Sequence, residues 1–97
     1  MQLTFADEKM TAVDDQGNWL GEIACPVLDH ERKIVVVERV FVVPAYRGQG
    51  LAAKLMQAFV DHAREESWQL EIMCPYAKMW FSLHDEASDV LYQRHHG

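Results

Sequence analysis

One stretch constrains the fold more than any other part of the chain: Val40-Phe41-Val42-Val43-Pro44-Ala45-Tyr46-Arg47-Gly48-Gln49-Gly50-Leu51-Ala52-Ala53. Its first four residues are β-branched or aromatic, as suits a strand buried on both faces. Pro44 has no N–H to give a ladder, so the strand ends there. Two glycines follow, two residues apart. From Leu51 the apolar period changes: Leu51, Leu55, Phe59 and Ala63 recur every fourth residue, flanked by Ala52, Met56 and Val60. With Lys54, Gln57, Asp61, Arg64 and Glu65 opposite, this predicts an amphipathic helix from about Gly50 to Glu66. The unit is strand, glycine turn, helix.

Such a turn has a physical use. The first N–H groups of a helix have no intrahelical acceptor and lie at the positive end of its dipole. Glycines let a ligand come close to that backbone, and an anion such as a phosphate is the natural occupant. A plain tight turn accounts for the glycines equally well. Neither Gly-Lys-Ser/Thr nor Gly-x-Gly-x-x-Gly is present, so the P-loop and the dinucleotide fingerprint are both excluded.

The rest of the chain supplies a sheet. Residues 1–8 are short and polar, although Leu3 and Phe5 can extend an edge strand. Lys9–Val13 reads as the first strand and Asp14-Asp15-Gln16-Gly17-Asn18 as a turn. Trp19–Pro26 is the second strand, with Trp19, Gly21, Ile23 and Cys25 on one face and Leu20, Glu22 and Ala24 on the other. After a turn at Asp29-His30-Glu31-Arg32, Lys33–Val43 reads as one long third strand carrying Glu38 and Arg39 at its middle. Gln69–Met73 is a fourth strand, and a strand-helix-strand unit of this length sets the third and fourth parallel with a right-handed crossover. Pro75 opens a further helix, in which Tyr76, Met79, Trp80 and Leu83 mark the apolar face. His84-Asp85-Glu86 ends it, Asp89–Gln93 gives one more turn, and the tail Arg94–Gly97 is expected to fray. The expectation is one α/β domain over residues 1–97, a mixed sheet with an antiparallel N-terminal meander, one βαβ crossover and a C-terminal helix.

Ninety-seven residues with 49% hydrophobic and 25% charged side chains suit one small globular domain. No apolar run reaches the length of a membrane span, and Met1–Glu8 lacks the basic start and apolar centre of a signal peptide; a cytoplasmic protein is expected. A net charge of −6 argues against a nucleic-acid binder. Cys25 and Cys74 are far apart and form no Cys-x-x-Cys pair, which argues against both a structural disulfide and a zinc site. No metal is expected.

Arg47-Gly48-Gln49-Gly50-Leu51-Ala52 resembles the Arg/Gln-x-x-Gly-x-Gly/Ala signature of the GNAT superfamily of acetyl-CoA-dependent N-acetyltransferases. Val42-Val43-Pro44-Ala45-Tyr46 is similar to the segment that precedes it there. Gly21-Glu22-Ile23, Cys74-Pro75-Tyr76 and Ala77-Lys78-Met79-Trp80-Phe81 extend the likeness to short single-domain members of the YjdJ type, over most of residues 9–92. The resemblance implies a minimal GNAT-like fold and acetyl transfer from acetyl-CoA to an amine-bearing acceptor. Two other functions stay open: a coenzyme-A-binding module without efficient catalysis, and an interaction domain whose glycines are structural.

It also implies roles. In the superfamily the third and fourth strands diverge, and the pantetheine arm pairs with exposed backbone in the gap. Here that assigns Val40, Phe41 and Val42 to pantetheine through their main chain, with side chains mostly in the core. Gly48, Gln49, Gly50, Leu51, Ala52 and Ala53 would hold the pyrophosphate through N–H groups. Arg47 and Lys54 either screen phosphate charge or stay solvated.

Cys74 ends a strand at the N-cap of the next helix, where the dipole favours a negative sulfur. Alone it reads as core filling; the resemblance makes it a proposed active-site residue, whereas Cys25 reads as core. Tyr76 either donates a proton to the leaving thiolate or packs. A general base is also needed. The short proteins carry His-Thr where this chain has Arg39-Val40, so Glu38 is the candidate, with solvent exposure or a bridge to Arg39 as the alternative. His84 reads as a surface histidine, and Trp68 and Trp80 as core or cleft wall.

Overall fold

The protein's structure, a computed structural model, describes residues 1–92. Strands β1 (Gln2–Ala6), β2 (Lys9–Val13) and β3 (Trp19–Ala24) run antiparallel, and β6 (Arg39–Val42) closes that sheet in the order β1-β2-β3-β6. A second sheet, β4-β5-β7, contains β4 (Val27–Asp29), β5 (Ile34–Val37) and β7 (Gln69–Ile72). Helix α1 (Leu51–Glu66) carries the chain from β6 to β7, and β7 lies parallel to β5, from Ile34 opposite Gln69 to Val37 opposite Ile72. Helix α2 (Pro75–Ser82) and a 3₁₀ segment (Asp85–Val90) follow. The expected α/β architecture and its βαβ crossover are both present.

The α1 stripe is buried as its spacing predicts: Leu51, Leu55, Met56, Phe59, Val60 and Ala63 all join the core. The end of the helix is closed by Ser67 in the left-handed conformation and by Lys33, whose Nζ donates to the Glu66 carbonyl at 3.2 Å. That places a cation at the negative end of the dipole. Both helices contribute to one cluster with Met10, Ala12, Ile23 and Val42, so they share one face of the first sheet.

Several local expectations are corrected. Residues 2–6 form a full strand, because Asp7 and Glu8 both take positive φ (55° and 60°) and make the two-residue turn that joins β1 to β2. The register between β2 and β3 slips at Ala12/Val13, so Trp19 and Gly21 stand opposite consecutive residues. That bulge turns Trp19 away from the Ile23 face: it stacks on Phe41, the residue opposite Glu22. Pro26 ends no strand; β4 follows at once. On α2 the buried residues are Ala77, Trp80 and Phe81, while Met79 (49%) and Leu83 (71%) are exposed. The final turn begins at Asp85 rather than Asp89, and Gln93 and the Arg94–Gly97 tail lie outside the described residues.

Candidate active site

The predicted third strand is two strands in two sheets. Up to Val37 the chain pairs with β4 on one side and β7 on the other; from Arg39 it pairs with β3, and the side that faced β7 is open. The Val37 carbonyl accepts the N–H groups of both Met73 and Cys74, at 3.0 and 3.1 Å, and holds the fork closed at its base. Beyond it β6 is an edge strand. The Val43 N–H donates to the Leu20 carbonyl at 2.9 Å, and antiparallel pairing alternates along the strand. Phe41 therefore turns its main chain toward β3, whereas Val40 and Val42 present theirs to the open side of the fork. Of the three expected backbone contacts, two face the gap.

Helix α1 begins at the same opening. Gly48 and Gly50 both adopt positive φ, 80° and 81°, which favours glycine. A Cβ at either would meet nothing within 4 Å, so space lies over the loop. Gly50 is the N-cap, with no side-chain hydrogen bond and no acidic residue in the first turn. The Lys54 N–H is the first to reach a helix acceptor, Gly50, at 3.1 Å; those of Leu51, Ala52 and Ala53 precede it without one. A cleft of about 260 Å³ covers them, lined by Val42, Tyr46, Arg47, Gly48, Gly50–Ala53 and Tyr76. An anion fits this end of the cleft, and an extended amide-bearing chain fits the β6 edge.

Side chains sit less simply than the sequence suggests. The Arg47 Nε donates to the Val42 carbonyl at 2.9 Å, and its guanidinium lies 5.3 Å from the Phe41 ring centre. It thus covers one of the two open-edge carbonyls of β6. Phe41 is no core residue; it lies between Trp19, Arg39 and Arg47 on the face away from the helices. The Gln49 amide donates to the Ala45 carbonyl at 3.1 Å and closes the loop. Lys54 is exposed and borders a neighbouring depression with Tyr46 and Gln49.

Cys74 is the α2 N-cap, as expected, and is buried in the core cluster with a free thiol. Tyr76, on the first turn of α2, lines the cleft; burial first, and then the negative charge Cys74 can carry, push its hydroxyl above the usual phenol range. Cys25 is 1% exposed and burial pushes its thiol up to about 12, which makes it inert core. Glu38 is exposed at the fork. Arg39 bridges Glu22 rather than Glu38, with Nη2 at 2.8 Å from Oε2. His84 stacks on Trp80 at 3.9 Å, and its Nδ1 lies 2.7 Å from the Trp80 carbonyl, past the far end of α2 from Cys74. Trp80 is core; Trp68 packs with Phe5 and His62, away from the cleft.

Two residues of this region carry no signal by spacing. Glu22 is buried, an unusual state for a carboxylate, and Trp19 joins it through the bulge. For Glu22 the available signs are a charged residue inside an otherwise apolar strand and its place in the Gly21-Glu22-Ile23 segment.

The profile of the GCN5-related N-acetyl-transferase family matches residues 10–90. Among solved structures, a GCN5-like candidate N-acetyltransferase from Staphylococcus aureus superposes with a TM-score of 0.72 at 29% identity, covering 98% of this chain and 93% of that one. The GNAT family N-acetyltransferase YhbS from Escherichia coli, solved in complex with CoA, gives a TM-score of 0.57 at 28% identity over 67% of this chain and 38% of its own length. Tetrahymena GCN5, at 16% identity, shares the fold over 96% of this chain and 66% of its own, with a TM-score of 0.66. No curated protein sequence matches.

Proposed function

The chain belongs to the GCN5-related N-acetyltransferase family, and from that premise we propose that it moves an acetyl group from acetyl-CoA to a primary amine in the cytoplasm. Acyl-CoA-dependent acetyl transfer is the family's reaction; the amine acceptor and the residue roles are our reading. Cys74-Pro75-Tyr76 following the glycine signature favours the YjdJ-type subgroup.

One observation carries the proposal. The unpaired edge of β6 and the uncapped N-terminus of α1 open into a single cleft. In our reading the N–H groups of Gly48–Ala53 hold the pyrophosphate. The pantetheine amides pair with Val40 and Val42, and the thioester reaches the fork beside Val37, Glu38 and Cys74. The Arg47 side chain leaves the Val42 carbonyl to admit pantetheine and turns toward phosphate. Attack by the amine forms the C–N bond and breaks C–S; the amine proton passes to Glu38 or solvent. Tyr76, kept protonated by burial, hands its proton to the departing thiolate. Cys74, buried in the core cluster, lines the acyl pocket.

Acetyl-CoA at a hundred times its Kd should add about 2.7 kcal/mol, or more than about 10 °C in Tm for a domain of this size. The absence of any shift with millimolar acetyl-CoA or CoA refutes the site. A shift without CoA release on any amine makes the protein a binding module. Acetyl trapped on Cys74 in intact-protein mass spectra, with transfer lost in Cys74→Ala, replaces direct attack by a covalent route.

A further inference from the structure

On the premise that the protein is an acetyltransferase, we infer that its acceptor is a free amino acid, and that Arg39 binds the carboxylate adjacent to the reacting amine. Arg39 is the first residue past the fork, two along from Val37, whose carbonyl holds Cys74. It therefore borders the point where the thioester comes to rest.

Its guanidinium is fixed on one side and open on the other. Nη2 meets Glu22 Oε2 at 2.8 Å, and Cζ lies 5.5 Å from the Phe41 ring centre. The Glu22 side chain is only 10% exposed and that of Arg39 55%. Among the described residues no other carboxylate pairs with Arg39, and more than half of its side chain is exposed. A carboxylate buried beneath one exposed arginine is a poor stabilising device, because desolvating it offsets most of the attraction. It is an effective positioning one: it holds a long, flexible side chain in one orientation, leaving a planar donor set matched to a second carboxylate.

The surroundings agree. The protein carries a net charge of −6, yet Arg39 and Arg47 both lie over Phe41. Trp19, stacked on Phe41 at 5.4 Å and 43% exposed, adds an apolar wall for the acceptor's side chain. Both helices pack on the opposite face of the sheet, which leaves this one accessible.

The test is CoA release measured with free L-amino acids and their decarboxylated counterparts, such as phenylalanine against 2-phenylethylamine and leucine against 3-methylbutylamine. The parent should favour the amino acids about ten- to hundredfold in kcat/KM, the worth of a charge-assisted contact. Arg39→Gln should bring that ratio toward unity by raising the acceptor KM, with the acetyl-CoA KM unchanged. Glu22→Gln, which keeps shape and removes charge, should lower the same ratio through KM. Circular dichroism and the acetyl-CoA thermal shift verify that each variant folds. Equal or better use of the decarboxylated amines, turnover of no amine at all, or a ratio unmoved in Arg39→Gln overturns the inference. A raised acetyl-CoA KM in Arg39→Gln also overturns it, by assigning the arginine to the donor. Failure of the parent to bind acetyl-CoA is a separate result and refutes the transferase premise instead.

Discussion

Gly50 and Gly17 form a matched pair that separates backbone strain from ligand contact. Both hold φ near +80° (81° and 83°), and an added Cβ meets nothing within 4 Å at either. Alanine should therefore cost each site only the left-handed strain, about 1–2 kcal/mol. At about 4–8 °C per kcal/mol, either variant should lose roughly 4–16 °C in Tm. Their ligand behaviour should differ. Gly17 lies in the β2–β3 turn; Gly50 is the N-cap that opens α1 under the cleft. A methyl group there occupies the space through which a phosphate approaches the N–H groups. Losing one hydrogen bond to a charged group costs about 1.5–3 kcal/mol, or roughly a tenfold to 150-fold rise in Kd. Titration calorimetry with acetyl-CoA should show this for Gly50→Ala and not for Gly17→Ala, and Gly50→Glu should abolish binding with a native circular dichroism spectrum. Parental affinity in Gly50→Ala would refute the assignment of the phosphates to this helix end.

Other expectations are shorter. Tyr76→Phe should lower kcat by about a hundredfold, the usual worth of a positioned proton donor, and leave the acetyl-CoA KM intact; an unchanged kcat makes the tyrosine a packing residue. Cys25, with its thiol pushed up to about 12 and 1% exposed, should resist iodoacetamide at neutral pH in the native protein and react once urea unfolds it, as peptide mass spectrometry will show. Arg64 clamps Asp89 with two 2.8 Å contacts and donates to the Glu86 carbonyl. The Asp89 carboxyl sits below its ordinary 3.8, chiefly through the Arg64 hydrogen bond. A depressed carboxylate stabilises the fold above its unfolded pKa and ceases to as pH falls through the folded one. Arg64→Ala should therefore lower Tm at neutral pH, with the part due to the ion pair fading as pH falls below 3.8 and gone once it passes the lower folded pKa; a gap independent of pH refutes the ion-pair account.

What the sequence determined by itself was local. The α1 stripe, Gly50 at its start, Pro75 opening α2 and the β5–α1–β7 unit follow from periodicity, missing donors and glycine conformation, which act over a few residues. The glycine turn was legible because left-handed backbone is recorded in residue type. Tertiary structure alone decided the rest. Glu38 and Arg39 mark the middle of the run from Ile34 to Val43, but nothing in it says that β7 pairs with residues 34–37 and leaves 39–42 an open edge; that depends on which strands distant in the chain lie beside each half. The face of Trp19 depends on a one-residue slip in register between β2 and β3, and such a slip reverses the side chains beyond it. Arg39 reaches Glu22, seventeen positions away, rather than adjacent Glu38, because strand pairing sets which charges meet. Sequence placed the glycine turn at the start of α1; strand pairing placed Glu22, Arg39 and Phe41 beside one another.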